Sequence, residues 1–223
     1  MSRAIAILRP EPGNSVTARR VERAGGIAIR LPLFVVRPLP WPAPKREHDA
    51  LILTSANAMR HGGAQLAALT GLPVYAVGAA TATSAQAMGF TIAHVGTEGA
   101  DALLEQARRD GIRRALHLTG RDHRLSAIPP IVELREVYAS EPCEMDEGRA
   151  GALIDCVAMV HSPRAGAALA ALADTHGLDR ARIALAAISE AAAEAAGTGW
   201  RAIAAPPEIG DAALVDTAIA LAD

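Results

Sequence analysis

The side chains best suited to chemistry in this 223-residue chain are hydroxyls that follow short apolar runs. They belong to Thr54, Ser55, Thr81, Ser162 and Ser189. Each lies where a strand-like run gives way to an amphipathic, helix-like segment. The start of a helix offers unpaired N–H groups and the positive end of its dipole, which favour anions. We therefore expect these junctions either to bind an anionic ligand or to be simple N-caps, each worth about 0.5–2 kcal/mol.

Several residues beside these hydroxyls could help to bind a ligand. Ala56, Gly78 and Ala82 would let a ligand approach the backbone closely, whereas Asn57, Pro163 and Arg164 follow the same strand ends. In an open parallel sheet, the carboxyl ends of the strands form the ligand-binding edge. Four such junctions favour a site for a polyanion over four unrelated caps.

Other kinds of site lack their sequence patterns. No G-x-G-x-x-G, G-x-x-x-x-G-K-[ST] or G-x-S-x-G motif occurs. Cys143 and Cys156 are too few for a disulfide framework or a thiolate metal site, and the seven His show no metal-ligand spacing. We expect neither a metal nor a cofactor. For His161, beside Ser162, we expect a structural role, with catalysis as the alternative.

Composition limits the partners and the location. The net charge of −2 predicts no general attraction to nucleic acid or to an anionic membrane. The first apolar run is too short for a signal sequence, and no later run has transmembrane length. The sequence therefore predicts a cytoplasmic protein without nucleic-acid or membrane partners.

Apolar runs and Ala-rich amphipathic segments alternate along the chain, which predicts an α/β fold with parallel sheets. The predicted strands are Ala4–Leu8, Ile27–Leu31, Ala50–Leu53, Val74–Val77, Thr91–Val95, Ala115–Leu118, Leu134–Tyr138, Val157–Val160, Ile183–Ile188 and Trp200–Ala204. The predicted helices are Ser15–Ala24, Ala56–Leu69, Ala79–Met88, Gly99–Arg109, Arg164–Thr175, Glu190–Ala196 and Asp211–Ala222.

Two polar, Pro-containing segments divide this pattern, and we interpret residues 37–48 and 139–145 as linkers. An internal repeat agrees: L-T-S-A-N-A (53–58) has its counterpart in V-H-S-P-R-A (160–165), and later motifs follow in the same order. We therefore predict two similar parallel-sheet α/β domains joined by these two linkers. Domain 1 comprises residues 1–36 and 146–223, and domain 2, residues 49–138, is inserted into it.

Tyr138 ends the strand that leads into the second linker, which places it near an expected inter-domain cleft. One interpretation is a core tyrosine with its hydroxyl paired, and the other is a proton donor in the cleft. The residues alone leave both open.

Several motifs together resemble the uroporphyrinogen-III synthase family, in the family's order and over nearly the whole chain. They are L-R-P-x-x-x-N (8–14), P-L-F (32–34), L-I-L-T-S-A-N-A (51–58), V-Y-A-V-G-x-x-T-A (74–82), G-F (89–90), H-L-T-G-R-D (117–122), V-Y (137–138), H-S-P-R-A (161–165) and A-A-I-S-x-x-A (186–192).

The resemblance implies a fold and a reaction. The family has two α/β domains joined by a two-stranded linker, one inserted into the other. Its enzymes close linear hydroxymethylbilane, which carries eight carboxylates, to uroporphyrinogen III. Water leaves ring A, ring D is inverted through a spiro-pyrrolenine, and neither metal nor cofactor takes part. This predicts a hydro-lyase of heme and tetrapyrrole biosynthesis, and we expect a monomer.

The resemblance also implies roles for individual residues. Tyr138 matches the family's cleft tyrosine and is the expected acid. The matched motifs add Arg9, Gly120 and Arg121 to the substrate-binding residues given above. The short stretch from Gly120 to Tyr138 predicts that the last helix of the inserted domain is lost or reduced. The alternative function is a hinged two-domain anion-binding or regulatory protein without cyclase activity.

Overall fold

The computed structural model describes residues 2–44, 46–123 and 128–223, and the chain divides into two compact units. Unit 1 comprises residues 1–35 and 142–223, and unit 2 comprises residues 36–141. Both are α/β units built on largely parallel sheets, and one is inserted into the sequence of the other. The predicted fold class is therefore confirmed.

The described part of unit 1 contains a five-stranded parallel sheet with the order β11-β10-β9-β1-β2. The strands are β1 (Ala4–Ile7), β2 (Ile27–Arg30), β9 (Val157–Val160), β10 (Ala184–Ala187) and β11 (Ala202–Ala204). Every residue of β9 and β10 is buried. Continuous apolar runs are typical of parallel strands covered on both faces.

Helices cover both faces of this sheet. They are α1 (Gly13–Arg23), α5 (Glu147–Gly151), α6 (Pro163–Thr175), α7 (Glu190–Ala196) and α8 (Asp211–Ala222). α1 and α8 pack on the face that carries Ile5 and Met159, whereas α6 and α7 pack on the face that carries Ala158. α6 approaches α7 closely, since a Cβ added to Gly166 would lie 2.4 Å from a backbone oxygen of α7.

A six-stranded sheet, again among the described residues, lies mainly in unit 2 and has the order β3-β8-β7-β4-β5-β6; the first two residues of β3 and the last of β8 belong to unit 1. The strands are β3 (Phe34–Pro38), β4 (Ala50–Leu53), β5 (Val74–Val77), β6 (Ile92–Gly96), β7 (Ala115–Gly120) and β8 (Ile131–Pro142). The pairs from β8 through β6 are parallel. β3 runs antiparallel to β8, because hydrogen bonds join Leu39 to Val137 and Leu33 to Cys143 in opposite order.

The helices of unit 2 are α2 (Asn57–His61), α3 (Ala79–Gln86) and α4 (Ala100–Arg109), with a 3-10 segment at Ala64–Leu69. The predicted single helix Ala56–Leu69 is wrong. The helix is interrupted at Gly62-Gly63. Gly63 has a φ of +71°, a conformation that glycine adopts without a steric penalty. Residues 121–123 and 128–130 contain no helix, and the rest of the predicted helix loss falls on residues 124–127, outside the described residues.

Part of the predicted linker at residues 37–48 belongs to the folded structure of unit 2. β3 was not predicted, and it is an edge strand, where proline is tolerated. Trp41 is 6% exposed, belongs to the unit 2 core and donates from Nε1 to the Gly62 carbonyl at 2.8 Å. At the second segment, β8 continues through Pro142, and Asp146 caps α5. Within the described ranges, no helix is long and apolar enough to cross a membrane.

Candidate functional site

The strand order of unit 2 reverses between β4 and β7. The chain passes from β4 outward to β5 and β6, then returns to place β7 and β8 on the other side of β4. Ligands of open α/β sheets bind outside the carboxyl ends of the strands at such a point. Thr54 and Ser55 follow β4 here, and Gly120 ends β7.

The register aligns four of the predicted site residues across adjacent strands. Leu53 pairs with Ala76 on one side and with Leu118 on the other. Two residues further along each strand are Ser55, Gly78 and Gly120, and Gly120 pairs with Tyr138. The four therefore form one row along the carboxyl edge of unit 2.

Tyr138 is half-buried, and its ring lies across Gly120. A Cβ added to Gly120 would lie 2.5 Å from Cε2 of that ring. The His61 ring stands at a centroid distance of 6.3 Å, tilted by 42°. Across the described residues, the Tyr138 hydroxyl makes no hydrogen bond. Tyr138 is therefore a fixed phenol with its proton available at the strand-end edge.

His61 contributes polarity beside Tyr138 without a charge. Burial, and next the nearby Arg60 guanidinium, lower the pKa of His61 below its ordinary value. The imidazole is therefore neutral near pH 7, since its ordinary pKa is already about 6.5.

The residues after β4 use their polar atoms locally. Ser55 Oγ accepts from the Asn57 N–H at 3.2 Å, and Asn57 Oδ1 accepts from Arg60 at 3.0 Å. The N-cap of α2 is Ala56, so the interpretation of Ser55 as the N-cap is wrong. Ser55 nevertheless satisfies one of the N–H groups that an N-terminus leaves unpaired.

Thr54 contacts a buried histidine that was not predicted as a site residue. Its Oγ1 lies 3.2 Å from Nε2 of His117, a β7 residue with 0% exposure. Burial, with a smaller contribution from His123, lowers the pKa of His117 to about 4. A histidine between Leu116 and Leu118, inside a short apolar run, was the available signal.

The start of α3 is formed by a glycine. Gly78 is the N-cap with a φ of +77°, and Thr81 and Ala82 lie on the buried face of the helix. Thr81 is the third residue of the helix and is 5% exposed, so the N-cap interpretation of Thr81 is wrong. The exposed groups at this end belong to Ala79 and Ala80.

Arg121 lies beside Tyr138 at the carboxyl edge of the unit 2 sheet. Its N–H donates to the Tyr138 carbonyl at 2.9 Å. Its exposed guanidinium lies 3.8 Å from Glu141, at the long limit of an ion pair. Such an exposed pair contributes little to stability and leaves most of the guanidinium donors available.

The strand order of unit 1 reverses between β1 and β9. Ile7 pairs with Met159, so Arg9 is level with His161 at this reversal. Arg9 donates to Asp211 Oδ1 at 3.1 Å, and Asp211 is the first residue of α8. The predicted substrate-binding Arg9 is therefore already partly engaged by a carboxylate.

Asp211 is the centre of a polar network. Its Oδ1 also accepts from Thr17 at 2.6 Å and from His161 Nε2 at 2.9 Å, and its Oδ2 pairs with Arg20. Burial raises the pKa of Asp211, but the bonds from His161, Thr17 and Arg20 lower it far below the ordinary value. Burial also lowers the pKa of His161, which is therefore neutral near pH 7. Asp211 was not recognisable from the sequence, because its partners lie far apart along the chain.

Ser162 and Ser189 are the N-caps of α6 and α7. Ser162 Oγ accepts from the Ala165 N–H at 3.2 Å, and Ser189 Oγ accepts from the Ala192 N–H at 3.3 Å. Each hydroxyl keeps its own proton as a further donor. For these two residues, capping and ligand binding are compatible.

The residues that follow Ser162 are exposed. Pro163 is the first residue of α6, where a missing N–H carries no penalty. The Arg164 guanidinium lies 4.5 Å from the centre of the Phe34 ring, in cation–π contact. This contact orients the positive charge at the strand-end edge of unit 1.

No cluster of three or more His, Cys, Asp or Glu side chains in the described ranges could hold a metal ion. A family model described as uroporphyrinogen-III synthase HemD matches residues 15–216. The chain belongs to this family. Membership in the uroporphyrinogen-III synthase family assigns it an enzymatic role in porphyrin synthesis with a small-molecule substrate.

Solved structures of the family share the fold. Uroporphyrinogen-III synthetase from Helicobacter pylori is 18% identical, with a TM-score of 0.66 over 98% of this chain and 99% of that one. A mutant uroporphyrinogen III synthase from the extremely thermophilic bacterium Thermus thermophilus is 15% identical, with a TM-score of 0.54 over 98% of both chains. No curated protein matches this chain.

Proposed function

We propose that this family member is a cytoplasmic, monomeric hydro-lyase that closes hydroxymethylbilane to uroporphyrinogen III. The observation that carries the proposal is the family match across residues 15–216, which spans both units. The row formed by Ser55, Gly78, Gly120 and Tyr138 supports it, because it presents two glycines, one serine hydroxyl and one phenol at a ligand-binding edge.

In the proposed reaction, Tyr138 protonates the leaving hydroxyl of ring A, and the C–O bond breaks to release water. The cation that remains is attacked by the substituted carbon of ring D, which gives the spiro-pyrrolenine. The bond between the substituted carbon and its original methylene bridge to ring C then breaks, and that methylene bonds to the unsubstituted α-carbon of ring D. Loss of the proton on that carbon restores the pyrrole. The proton returns to the Tyr138 phenolate, so one molecule of water is the only other product.

Recognition is proposed to rest on many modest contacts to the substrate carboxylates. Hydroxyls and backbone N–H groups at the strand ends of each unit would supply most of them, with Arg121 and Arg164 as exposed cations. Loss of hydroxide from an electron-rich pyrrole is intrinsically easy. Holding ring D so that the substituted carbon reaches the cation is therefore the main task, which is an orientation effect.

The test supplies enzymatically generated hydroxymethylbilane and separates the type I and type III isomers. We expect type III product from the wild type. Formation of the type I isomer alone, which is the spontaneous product, would contradict the proposed function.

The Tyr138→Phe variant tests the acid. We expect kcat to fall about ten- to hundred-fold with KM little changed. This loss is small for the removal of a general acid, because loss of the hydroxyl group from this substrate is intrinsically easy. Tyr75→Phe is the matched control, since Tyr75 is the other tyrosine and its buried hydroxyl donates to Asp110 at 2.9 Å. Unchanged turnover in Tyr138→Phe would remove Tyr138 from the role.

A further inference from the structure

The Thr54 and His117 pair lies at the strand reversal of unit 2. Thr54 follows β4 and is half-buried, whereas His117 is completely buried in the adjacent β7. Their side chains meet at 3.2 Å, between Oγ1 of Thr54 and Nε2 of His117. The direction of this hydrogen bond depends on which ring nitrogen carries the proton.

The other ring nitrogen fixes the direction. Nδ1 of His117 is buried and has no hydrogen-bond partner within the described ranges. A proton on Nδ1 would bury a donor without an acceptor, which proteins avoid more strictly than an unpaired acceptor. The proton therefore resides on Nε2, and Nδ1 keeps only its lone pair.

With this tautomer, His117 donates to Thr54 and Thr54 Oγ1 accepts. The Thr54 hydroxyl makes no other hydrogen bond in the described part of the chain, so its own proton is unused. Thr54 is a neighbour of Ser55 in the strand-end row of unit 2. A donor at that position suits a carboxylate, and a hydrogen bond to a charged group is among the stronger ones.

We propose that His117 is a positioning residue that holds the Thr54 hydroxyl as a hydrogen-bond donor for a substrate carboxylate. The proposal rests on the proposed function, since hydroxymethylbilane supplies the carboxylate. Because the imidazole is neutral, it can orient this donor without adding a charge that would attract or repel other carboxylates. Because it is buried, its ring cannot exchange this partner for water.

Two substitutions separate the ring nitrogens. Gln at position 117 can place an N–H₂ donor near the Nε2 site, whereas Asn reaches only the Nδ1 site. We expect His117→Gln to keep KM within about two-fold of the wild type. His117→Asn and His117→Leu should raise KM about ten-fold with kcat little changed, as expected when a uniform binding contact is lost.

A double-mutant cycle distinguishes positioning from a general structural effect. Thr54→Val should raise KM about ten-fold, and adding His117→Leu should raise it no further, because His117 acts only through Thr54. A full second increase in KM would overturn the proposal, as would equal KM values for His117→Gln and His117→Leu.

A readout without substrate keeps this proposal separate from the proposed function. We expect ¹⁵N NMR of the wild-type protein to show His117 protonated at Nε2 and bare at Nδ1 between about pH 5.5 and 8, above its pKa of about 4. The opposite tautomer overturns the proposal. If the wild type yields only the type I isomer, the proposed function is overturned. The carboxylate that this inference assigns to the Thr54 hydroxyl is then overturned with it. Type III product with insensitive KM values overturns this inference alone.

Discussion

The ring of Tyr138 rests on the backbone of Gly120. A Cβ at position 120 would lie 2.5 Å from Cε2, 2.7 Å from Cζ and 3.0 Å from the hydroxyl oxygen. Real Cβ atoms do not approach ring carbons this closely, so the observed ring position requires glycine. Two strands paired at this point therefore set the place of the proposed acid.

Gly120→Ala should displace the ring of Tyr138. We expect kcat to fall about as far as in Tyr138→Phe, and the double variant to be no worse than either single one, because both act on the same hydroxyl. The φ of Gly120 lies outside the left-handed region, so Ala adds no backbone strain of its own. Gly151→Ala is the control, since a Cβ there would meet nothing within 4 Å. Wild-type kcat in Gly120→Ala would contradict the assignment.

His117 should make the stability of unit 2 depend on pH. Its pKa is about 4 in the folded protein against an ordinary value of 6.5, so the unfolded chain binds more protons between these values. The contribution of neutral His117 to the free energy of unfolding of unit 2 is therefore fully present above about pH 6.5. It is lost as the pH falls toward 4, by up to about 3 kcal/mol. His117→Gln should abolish this part of the slope.

The measurement uses Trp41, which lies in the core of unit 2. In a Trp200→Phe background it is the only tryptophan, so its fluorescence reports urea unfolding of this unit alone. His48 and His61, whose pKa values burial also lowers, contribute to both proteins and cancel. Equal slopes for this background and its His117→Gln variant between about pH 4.5 and 6.5 would contradict the prediction.

Asp211→Asn should destabilise unit 1 by about 2 kcal/mol near neutral pH, because several hydrogen bonds to a charged group are weakened together. The wild-type carboxylate has a pKa well below the ordinary 3.8, so its stabilisation is present above that value and declines as the pH falls below it. The difference between the two proteins should therefore shrink below about pH 4. Fluorescence of Trp200 in a Trp41→Phe background measures it, and a difference that grows on acidification would refute the assignment.

Ser162 offers a way to separate capping from ligand binding. Asn and Asp are N-caps as good as Ser, so Ser162→Asn and Ser162→Asp should both keep the free energy of unfolding within about 0.5 kcal/mol. Under the proposed function, Asp would repel a substrate carboxylate and raise KM several-fold, whereas Asn would not. Equal KM values in the two variants would leave Ser162 as a cap alone.

The sequence predicted the strands and most helices well, because apolar runs bounded by Gly, Pro and hydroxyl residues have few other interpretations. It failed at Gly62-Gly63, where amphipathic spacing continued through a backbone break, and at β3, which contains proline. The strand-end row was predictable from local pattern. The Thr54 and His117 pair and the Asp211 network were not, since each joins residues that only the parallel register brings together.

Strand β1 lies in the middle of the unit 1 sheet, between β2 and β9. A ribosome makes β1 first but reaches β9 only after about 150 further residues, a delay on the order of ten seconds. During that time β1 has one unpaired edge, and both of its faces lack the apolar side chains from residue 153 onward that pack with them in the folded unit. The 36–141 segment, by contrast, is contiguous and has its own core, so we expect it to fold first during synthesis. The part of the protein that is made first is therefore completed last.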